Sequence, residues 1–506
     1  MTADFSTSPI NFPHNPPAVG HTIMETSMNK SSNTTLSSEN IADAPKEREW
    51  QARFNAWRKA HISDSVFLIC LAVVIGLLCG VAAFVFKYLI SLIAGIFLPH
   101  ITDGRINWWI ILPPIGGILL AGIFTRYVIH TNLAHGVGQL INDLRNKFYR
   151  LRHNISFSPI IGGSITLGMG GSAGAEGPIA YTGAAIGSNV GQLLGLPPEM
   201  LKILIGCGTS AGIAGIFSAP IGGLMFALEL VKIELSVQAV VAAMAACLTS
   251  YLTIFTLHGG HSDLTFTPLD NYSFDMLPLV MLLGVFCGVY AIYYSYVAGH
   301  LDKFYKNIKN PWIRNLTGGI AIGVILLLFP SMYGVGYPIL GNVINGDCTA
   351  LARGSIIENL TFDSQGLMLV ASGILLCKCW AVASTNSSGG VGGDFAPTLF
   401  AGGMAGFLFA TFCNTYFSTD LPVGVFAYLG MAGAMSGIIE APLMTIFITM
   451  EMTQTYRFAL PVTICASVSY IIVKGFSLLA HERIPFIHHQ FWFRHGHPEK
   501  TINSQP

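Results

Sequence analysis

Residues Gly206–Glu229 read GCGTSAGIAGIFSAPIGGLMFALE, an apolar stretch that glycines and a Ser-Ala-Pro break interrupt. Residues Gly430–Glu451 follow the same plan, with twelve residues from a glycine to a proline and nine more to a glutamate. The matching positions are Gly208, Pro220 and Glu229 in the first stretch and Gly430, Pro442 and Glu451 in the second, 222 residues later. A chance likeness does not supply this set of equal spacings, so the two stretches predict a chain with an internal repeat.

A second pair of motifs lies upstream of these stretches. Its two members are separated by nearly the same number of residues. The segment Gly174–Pro178, GAEGP, corresponds to the segment Gly393–Pro397, GDFAP. We therefore place one repeat at residues 61–260 and the other at residues 272–490. Duplicated halves that enclose a site near the middle of the bilayer are a recurrent plan among transporters.

The composition is that of a membrane protein. Of the 506 residues, 52% are hydrophobic and 10% are charged, whereas soluble proteins carry about 25% charged residues. A run of ~18 apolar residues without charge is long enough to cross a bilayer core of ~30 Å. Such runs include Val66–Phe86, Leu235–Ser262, Met276–Leu301 and Leu316–Gly346. These runs predict an all-α polytopic membrane protein, and the net charge of zero predicts no nucleic-acid partner.

The ends of the chain differ from its apolar body. Residues 1–45 are rich in Ser, Thr, Asn and Pro, and we predict a disordered cytoplasmic tail over residues 1–60. Basic residues between Lys46 and Lys59 precede the first span, and Arg483, Arg494 and Lys500 follow the last one. By the positive-inside rule, both termini are expected to be cytoplasmic, in a protein of the cell membrane. We expect residues 491–506 to form a short tail without an appended domain.

Three glycine-rich breaks each precede a new helical segment. They are His135–Gly138 (HGVG), Gly171–Pro178 (GSAGAEGP) and Gly389–Pro397 (GGVGGDFAP). A helix that begins after such a break has unpaired backbone N–H groups at its positive end, which bind anions without a full positive charge. Breaks at membrane depth are tolerated where they line a cavity or are buried in protein. The three breaks therefore predict an anion pathway.

These motifs resemble those of the CLC family of chloride channels and chloride/proton antiporters. GAEGP resembles the family's G-R/K-E-G-P element, GGDFAP its G-x-F-x-P element and HGVG its G-S/H-G-I/V-P element. Gly206–Glu229 is similar to a long central stretch of the family, and the likeness extends through Glu451–Pro461. It covers about residues 61–480, with the four elements in family order.

The resemblance implies a CLC-type fold of two repeated halves with many tilted and broken helices. It also implies a homodimer with one anion pathway per subunit and no cofactor. Glu176 would be the gate, because its carboxylate mimics the anion and blocks the site until protonation or displacement moves it away. Backbone amides would converge on the anion at the positions His135, Gly136, Val137, Gly174, Gly177, Asp394 and Phe395.

The chain departs from the family pattern beside the gate. Ala175 stands where a basic residue is usual, and His135 stands where some members have a serine. His135 either donates a hydrogen bond to the anion or packs away from the pathway, and both interpretations stay open. Asp394 is acidic where many members are apolar, and its N–H group can still serve the anion if its side chain caps the helix. No tyrosine follows Tyr470, so the residue at the inner constriction is left open between Phe486 and His488.

Leu230 decides the functional prediction. It follows Glu229 where many exchangers of the family carry a second glutamate that transfers protons. Because leucine cannot relay protons, we favour a chloride pathway that is channel-like or weakly coupled. The alternative is a chloride/proton antiporter in which Glu234, four residues on, or water serves as the inner relay. A receptor or scaffold is a further alternative. An intramembrane enzyme is disfavoured because the sequence shows neither a paired nucleophile and base nor a metal-ligand set.

Other charged residues have less specific interpretations. Glu229 and Glu451 occupy equivalent repeat positions, and structural hydrogen bonding is favoured for both. Lys378 interrupts an apolar stretch and either pairs with an acid or adds positive potential to the pathway. The histidines from His481 to His497 fit no zinc spacing, so we predict a solvated tail without a metal site.

Overall fold

The computed structural model describes residues 49–97, 108–130, 136–146, 149–233, 236–259, 272–346, 351–358, 363–454 and 456–483. Seventeen α-helices lie in these residues, and no strand does. The helices are α1 Glu49–His61, α2 Asp64–Phe97, α3 Leu112–Ile123, α4 Gly136–Arg145, α5 Ser158–Gly168, α6 Glu176–Leu193, α7 Pro198–Phe217, α8 Pro220–Phe226, α9 Val237–Leu257, α10 Leu277–Asn307, α11 Pro311–Leu328, α12 Tyr337–Ile344, α13 Ser364–Ser388, α14 Phe395–Phe417, α15 Val423–Ile439, α16 Pro442–Met452 and α17 Ala459–Arg483. The predicted all-α class is confirmed.

The described part of the chain contains nine helical segments that are long and apolar enough to cross a membrane. They include α2, α7, α9, α13 and α14, and the shorter apolar helices Pro220–Val231, Val423–Ile439 and Pro442–Met452 accompany them. Apolar side chains on the outer surface, such as Leu92 and Ile471, suit contact with lipid. The multi-pass membrane class follows from these helices.

The predicted tail is wrong for residues 49–60, because the helix α1 begins at Glu49. Its residues Gln51 and Asn55 face the end of α6, where their amides donate hydrogen bonds to the carbonyls of Leu193 and Leu194, at 3.0 Å each. Arg58, in the last turn of α1, is buried and pairs with Asp64 at the start of α2. These contacts hold α1 against the end of α6 and the start of α2. Residues 1–48 lie outside the described part.

Matching glycines from the two motif stretches bring helix backbones together. A Cβ atom on Gly208 of α7 would lie 1.9 Å from the carbonyl oxygen of Gly183 on α6. A Cβ atom on Gly430 of α15 would lie 2.3 Å from the carbonyl oxygen of Gly402 on α14. Only glycine allows either approach, which is how small residues drive helix packing in membranes. The two halves thus use equivalent glycines for equivalent helix pairs, while the predicted repeat boundaries stay a prediction.

The Ser-Ala-Pro break and its counterpart end their helices in the same way. After α7, Ser218 takes a left-handed conformation (φ 55°), and α8 begins at Pro220. After α15, Glu440 does the same (φ 60°), and α16 begins at Pro442. Each proline has no N–H group to leave unpaired at its helix start.

Each half supplies a glutamate that binds the helix start of the other half. The Glu451 carboxylate, at the end of α16, accepts hydrogen bonds from the N–H groups of Ile221 (3.0 Å) and Gly222 (2.7 Å) in α8. The Glu229 carboxylate accepts from Leu443 (3.1 Å) and Met444 (2.7 Å) in α16. A carboxylate is favourable at the positive end of a helix. The structural interpretation of both glutamates is confirmed.

We expect Glu451→Ala to lower thermal stability more than Glu229→Ala does. Glu451 is 8% exposed, so its loss leaves the buried amide of Gly222 and the partly buried amide of Ile221 without this acceptor, at about 1–3 kcal/mol for each fully buried group. Glu229 is half-buried, and water replaces part of its contribution. Thermal unfolding of the purified protein in detergent measures the difference. The control is Glu199→Ala, an exposed glutamate in the first turn of α7, which should lower the unfolding temperature less than Glu451→Ala does because water screens its charge. An unchanged unfolding temperature for Glu451→Ala would contradict the capping role.

Candidate functional site

Two helix starts from opposite halves of the chain meet inside the protein. Helix α6 begins at Glu176 and helix α14 begins at Phe395. The segments that precede them are joined by an isolated antiparallel bridge between Gly174 and Gly393, with 2.8 Å N–H···O hydrogen bonds in both directions. The positive ends of two helices therefore point towards one location.

The Glu176 carboxylate occupies this location. It is 1% exposed, and its Oε1 atom accepts hydrogen bonds from the backbone N–H groups of Phe395 (2.5 Å) and Ala396 (3.3 Å). Its Oε2 atom has no hydrogen-bond partner among the described residues. A glutamate of one half thus sits at the helix start of the other half, where an anion is favourable.

Glycine on both sides makes room for this carboxylate. A Cβ atom on Gly174 would lie 2.1 Å from Oε1 and 2.2 Å from Oε2 of Glu176. A Cβ atom on Gly393 would lie 2.6 Å from Oε1. The bridge of two glycines leaves a cradle that the carboxylate fills.

A third helix start lies against the first two. A Cβ atom on Gly136, the first residue of α4, would lie 2.6 Å from the carbonyl oxygen of Gly177. A Cβ atom on Gly177 would lie 3.1 Å from the carbonyl oxygen of Gly392. The three glycine-rich breaks, far apart in the sequence, therefore come together in the structure. Val137 follows Gly136 and is half-buried, whereas His135 lies outside the described residues.

Asp394 does not have the arrangement that the sequence suggested. It precedes α14, but its side chain does not cap the helix. Instead, Oδ1 accepts a 2.9 Å hydrogen bond from the Asn386 amide, near the end of α13. The start of α14 is capped by Glu176, which leaves the Asp394 side chain to its neighbour in α13. Phe395 is buried, and its ring packs against Phe226 of α8 at 5.5 Å between centroids.

A buried lysine lies behind the Gly171–Pro178 segment. The Lys378 Nζ atom, in α13, donates a 2.9 Å hydrogen bond to the Ser172 hydroxyl. It also lies 4.6 Å from the centroid of the Phe400 ring. Of the two interpretations that the sequence left open, pairing with an acid is wrong for the described residues, since no ion pair of Lys378 occurs there.

Asp143 is a further buried acid, which the sequence motifs do not single out. Asp143 of α4 is 1% exposed, and its Oδ2 atom accepts a 3.1 Å hydrogen bond from the hydroxyl of Tyr181 on α6. The only signal for it is a lone acid in a helix with an apolar face, and the sequence does not say which face is buried. The contact ties α4 to α6, two of the three helices that begin at the glycine-rich breaks.

Several predicted positions lie outside the described residues. They are His135, Glu234, Phe486, His488 and the other histidines beyond residue 483. Leu230, which lies just after Glu229, is half-buried and packs against the apolar core. The inner relay and the inner constriction therefore stay predictions.

The chain is similar to known proteins over most of its length. A family model described as "Voltage gated chloride channel" matches residues 116–474. "Chloride channel protein CLC-e" of Arabidopsis thaliana is 27% identical over 80% of this chain and 60% of its own length. "H(+)/Cl(-) exchange transporter ClcA" of Vibrio cholerae is 27% identical over 60% of this chain and 63% of its own length. The chain thus spans less than two thirds of the length of these two relatives.

Among solved structures, a slow cyanobacterial Cl⁻/H⁺ antiporter has the same fold. The two chains superpose with a TM-score of 0.68 at 22% sequence identity. The match covers 83% of this chain and 98% of the antiporter chain. The predicted fold of broken helices in a repeated arrangement is confirmed at the level of architecture.

Proposed function

The chain belongs to the voltage-gated chloride channel (CLC) family, and from this we propose that it moves chloride, or a similar small monovalent anion, across a membrane. Glu176 gates the pathway, which is channel-like or weakly coupled to protons. The family carries out anion transport, and the names of the two curated relatives refer to chloride.

One observation supports the gating role above the others. The Glu176 carboxylate, an anion itself, is buried at the start of α14 and accepts hydrogen bonds from two of its backbone amides. These donors hold a carboxylate or a halide by the same electrostatic attraction. A transported anion therefore competes with the carboxylate, and protonation of Glu176 weakens the hold of the amides on it.

We assign the anion contacts to backbone groups around this carboxylate. Backbone amides can release a small anion more readily than a side-chain cation in direct contact with it. The proposed anion-binding positions are His135, Gly136, Val137, Gly174, Gly177, Asp394 and Phe395. Gly136, Gly174 and Gly177 lie at the meeting point of the three helix starts, which supports this assignment.

Anion efflux from reconstituted liposomes tests the proposed function. Liposomes loaded with chloride and containing the purified protein are expected to release it faster than protein-free liposomes, with a potassium ionophore to balance charge. The Glu176→Ala variant is measured beside the unmodified protein. Absence of flux from both proteins, each folded and inserted, would overturn the transport proposal.

We expect a chloride gradient to drive little or no uphill proton movement in the same liposomes. The physical reason is Leu230, which has no proton to exchange where many exchangers of the family carry a glutamate. A pH indicator inside the liposomes, with the membrane potential clamped, measures this. Uphill proton movement would favour the antiporter alternative, which the likeness to the cyanobacterial antiporter and to the Vibrio cholerae exchange transporter supports.

The antiporter alternative has a test of its own. If protons move uphill, Glu234→Gln separates the two possible inner relays, since the amide cannot exchange protons. Loss of coupling with retained chloride flux assigns the relay to Glu234. Retained coupling assigns it to water.

We also propose a homodimer in the cell membrane with both termini in the cytoplasm. The family resemblance supports the dimer, and the basic residues Lys46–Lys59 before the first span support the orientation. Light scattering of the detergent-solubilised protein gives the oligomeric state. Protease accessibility of tagged termini in sealed vesicles gives the orientation.

A further inference from the structure

Two arginines come together where the end of α3 packs against the start of α11. A Cβ atom on Gly122, in α3, would lie 2.0 Å from the side-chain amide of Asn315, near the start of α11. Beyond α3 the chain continues through the π-helical segment Phe124–Ile129, and π-helical turns are frequent at functional sites. Arg126 lies in this segment and Arg314 lies next to Asn315, so two guanidinium groups belong to adjacent helix ends.

Neither guanidinium group has an anionic partner. No ion pair of Arg126 or Arg314 occurs in the part of the chain that the structure describes. The Nη1 atom of Arg126 and the Nε atom of Arg314 are buried there without a hydrogen-bond partner. The charges of the two groups also repel each other. Buried donors of a charged group are costly when unpaired, so an anion bound by both arginines would stabilise this end of the protein.

Two aromatic rings border the arginine pair. The ring of Trp312, in the first turn of α11, lies 5.3 Å from the guanidinium carbon of Arg126 and stacks on Tyr127 at 6.2 Å between centroids. An aromatic face attracts a cation but does not neutralise it. Trp312 is 39% exposed and Tyr127 is 58% exposed, and both arginines are half-buried. The pair can therefore be reached by a ligand from outside.

The position of the arginine pair indicates which anion it would meet. Arg126 lies three residues before the end of the apolar segment Trp108–Ile129, and Arg314 lies three residues after the start of the apolar segment Pro311–Leu328. The ends of membrane-crossing helices lie at the level of the lipid headgroups, where tryptophan and tyrosine are enriched. The start of α11 adds the positive end of a helix dipole beside Arg314. Headgroup phosphates are the anions of this layer.

We propose that Arg126 and Arg314 form a phosphate-binding site at the membrane surface, outside the Glu176 site. The planar fork of an arginine offers parallel N–H groups to two oxygens of one phosphate, and two forks suit a group with several oxygens better than a single halide ion. An anionic lipid headgroup and inorganic phosphate share this chemistry. The site does not depend on the proposed transport function.

Calorimetric titration of the purified protein in detergent tests the proposal. The ligand is dihexanoyl phosphatidic acid, a soluble anionic lipid, at a fixed chloride concentration that keeps the Glu176 site in one state. Arg126→Gln and Arg314→Gln are each expected to weaken its binding by about tenfold, because each removes a charged group that donates hydrogen bonds to the phosphate.

The matched control is Arg353→Gln. Arg353 is exposed, and Ser355, two residues on, donates a hydrogen bond to the carbonyl of Leu328, at the opposite end of α11 from Arg314. The control removes the same charge near the same helix but away from the proposed site. It is expected to bind the lipid as tightly as the unmodified protein does.

Titration with inorganic phosphate identifies the source of the phosphate. If the lipid binds at least tenfold more tightly than inorganic phosphate, the site takes a lipid headgroup. If both bind equally and both arginine variants weaken both, the site takes free phosphate. The proposal is overturned if neither ligand binds, or if Arg126→Gln and Arg314→Gln bind the lipid as tightly as Arg353→Gln. Chloride flux does not enter this comparison, so a failure of the transport proposal is a separate result.

A variant of opposite charge gives a measurement without any ligand. Arg126→Glu places a carboxylate near Arg314, where the proposal puts the phosphate. It is expected to abolish lipid binding, yet to unfold at a higher temperature than ligand-free Arg126→Gln, because it supplies the missing counter-charge. A lower unfolding temperature for Arg126→Glu than for Arg126→Gln would contradict an unpaired positive site. If Arg126→Gln does not fold, Arg314→Gln takes its place in both comparisons.

Discussion

Replacing Glu176 by alanine is expected to give a protein whose chloride flux at neutral pH exceeds that of the unmodified protein by about tenfold and no longer depends on pH. In the unmodified protein the carboxylate accepts hydrogen bonds from Phe395 and Ala396, so an anion must displace it. A hydrogen bond to a charged group contributes about 1.5–3 kcal/mol, which accounts for the size of the effect. Alanine leaves these donors free for the anion.

The pH dependence has a defined sign. Protonation neutralises Glu176 and weakens its attraction to the helix start, so flux through the unmodified protein rises as the pH falls. Glu176→Ala and Glu176→Gln carry no titrating group at this position, and their flux stays level over the same range. Liposome efflux at a series of external pH values measures this.

The matched control for Glu176→Ala is Glu199→Ala. Both glutamates lie in the first turn of a helix, but Glu199 is exposed at the start of α7. We expect flux and pH dependence through Glu199→Ala to equal those of the unmodified protein. A folded Glu176→Ala protein that conducts less than the unmodified protein, or keeps its pH dependence, would refute the gating role of Glu176.

Gly174→Ala is expected to raise chloride flux although it leaves the gate residue itself unchanged. The added Cβ atom would lie about 2 Å from both carboxylate oxygens of Glu176, a distance that nonbonded atoms do not reach. The atoms it meets belong to the far end of a flexible side chain, and Gly174 does not need a left-handed conformation. The carboxylate therefore moves out of the cradle, while the backbone keeps its course.

A double mutant distinguishes this mechanism from general damage. If Gly174→Ala acts by displacing Glu176, it adds nothing to the flux of Glu176→Ala, because the group that it displaces is absent. Gly95→Ala is the control, since its Cβ atom would meet nothing within 4 Å on α2. Additive effects of Gly174→Ala and Glu176→Ala, or an equal effect of Gly95→Ala, would contradict the displacement mechanism.

The two glutamates that bind helix starts illustrate what repeat spacing reveals. Glu229 and Glu451 are recognisable as equivalent from their distance to a proline, which favours a structural role for both. Their partners are not predictable in this way, because each carboxylate caps the helix of the other half, more than 200 residues away. The spacing of residues along the chain identifies equivalent positions in the two repeats. It does not show which segments contact each other in the folded protein.

Two expectations failed for the same physical reason. The composition predicts a disordered tail up to residue 60, but amides of α1 find carbonyl acceptors at the end of α6, which lies far along the chain. The position of Asp394 suggests a helix cap, but Glu176 occupies that place and Asp394 binds Asn386 instead. In both cases a distant segment supplied a partner that competes with the local preference.

The sequence by itself determined the membrane class, the broken helices, the family resemblance and the candidate gate. Those properties depend on apolar run length, on glycine and proline positions and on motif order, all of which are local along the chain. Only the tertiary structure decided that the three glycine-rich breaks meet, that the Glu176 carboxylate accepts hydrogen bonds from α14, and that Lys378 is buried behind Ser172, with no acid paired to it among the described residues. The physical reason is that burial and pairing depend on which residues are close together in the folded protein. Residues about 200 positions apart come together only when the helices pack.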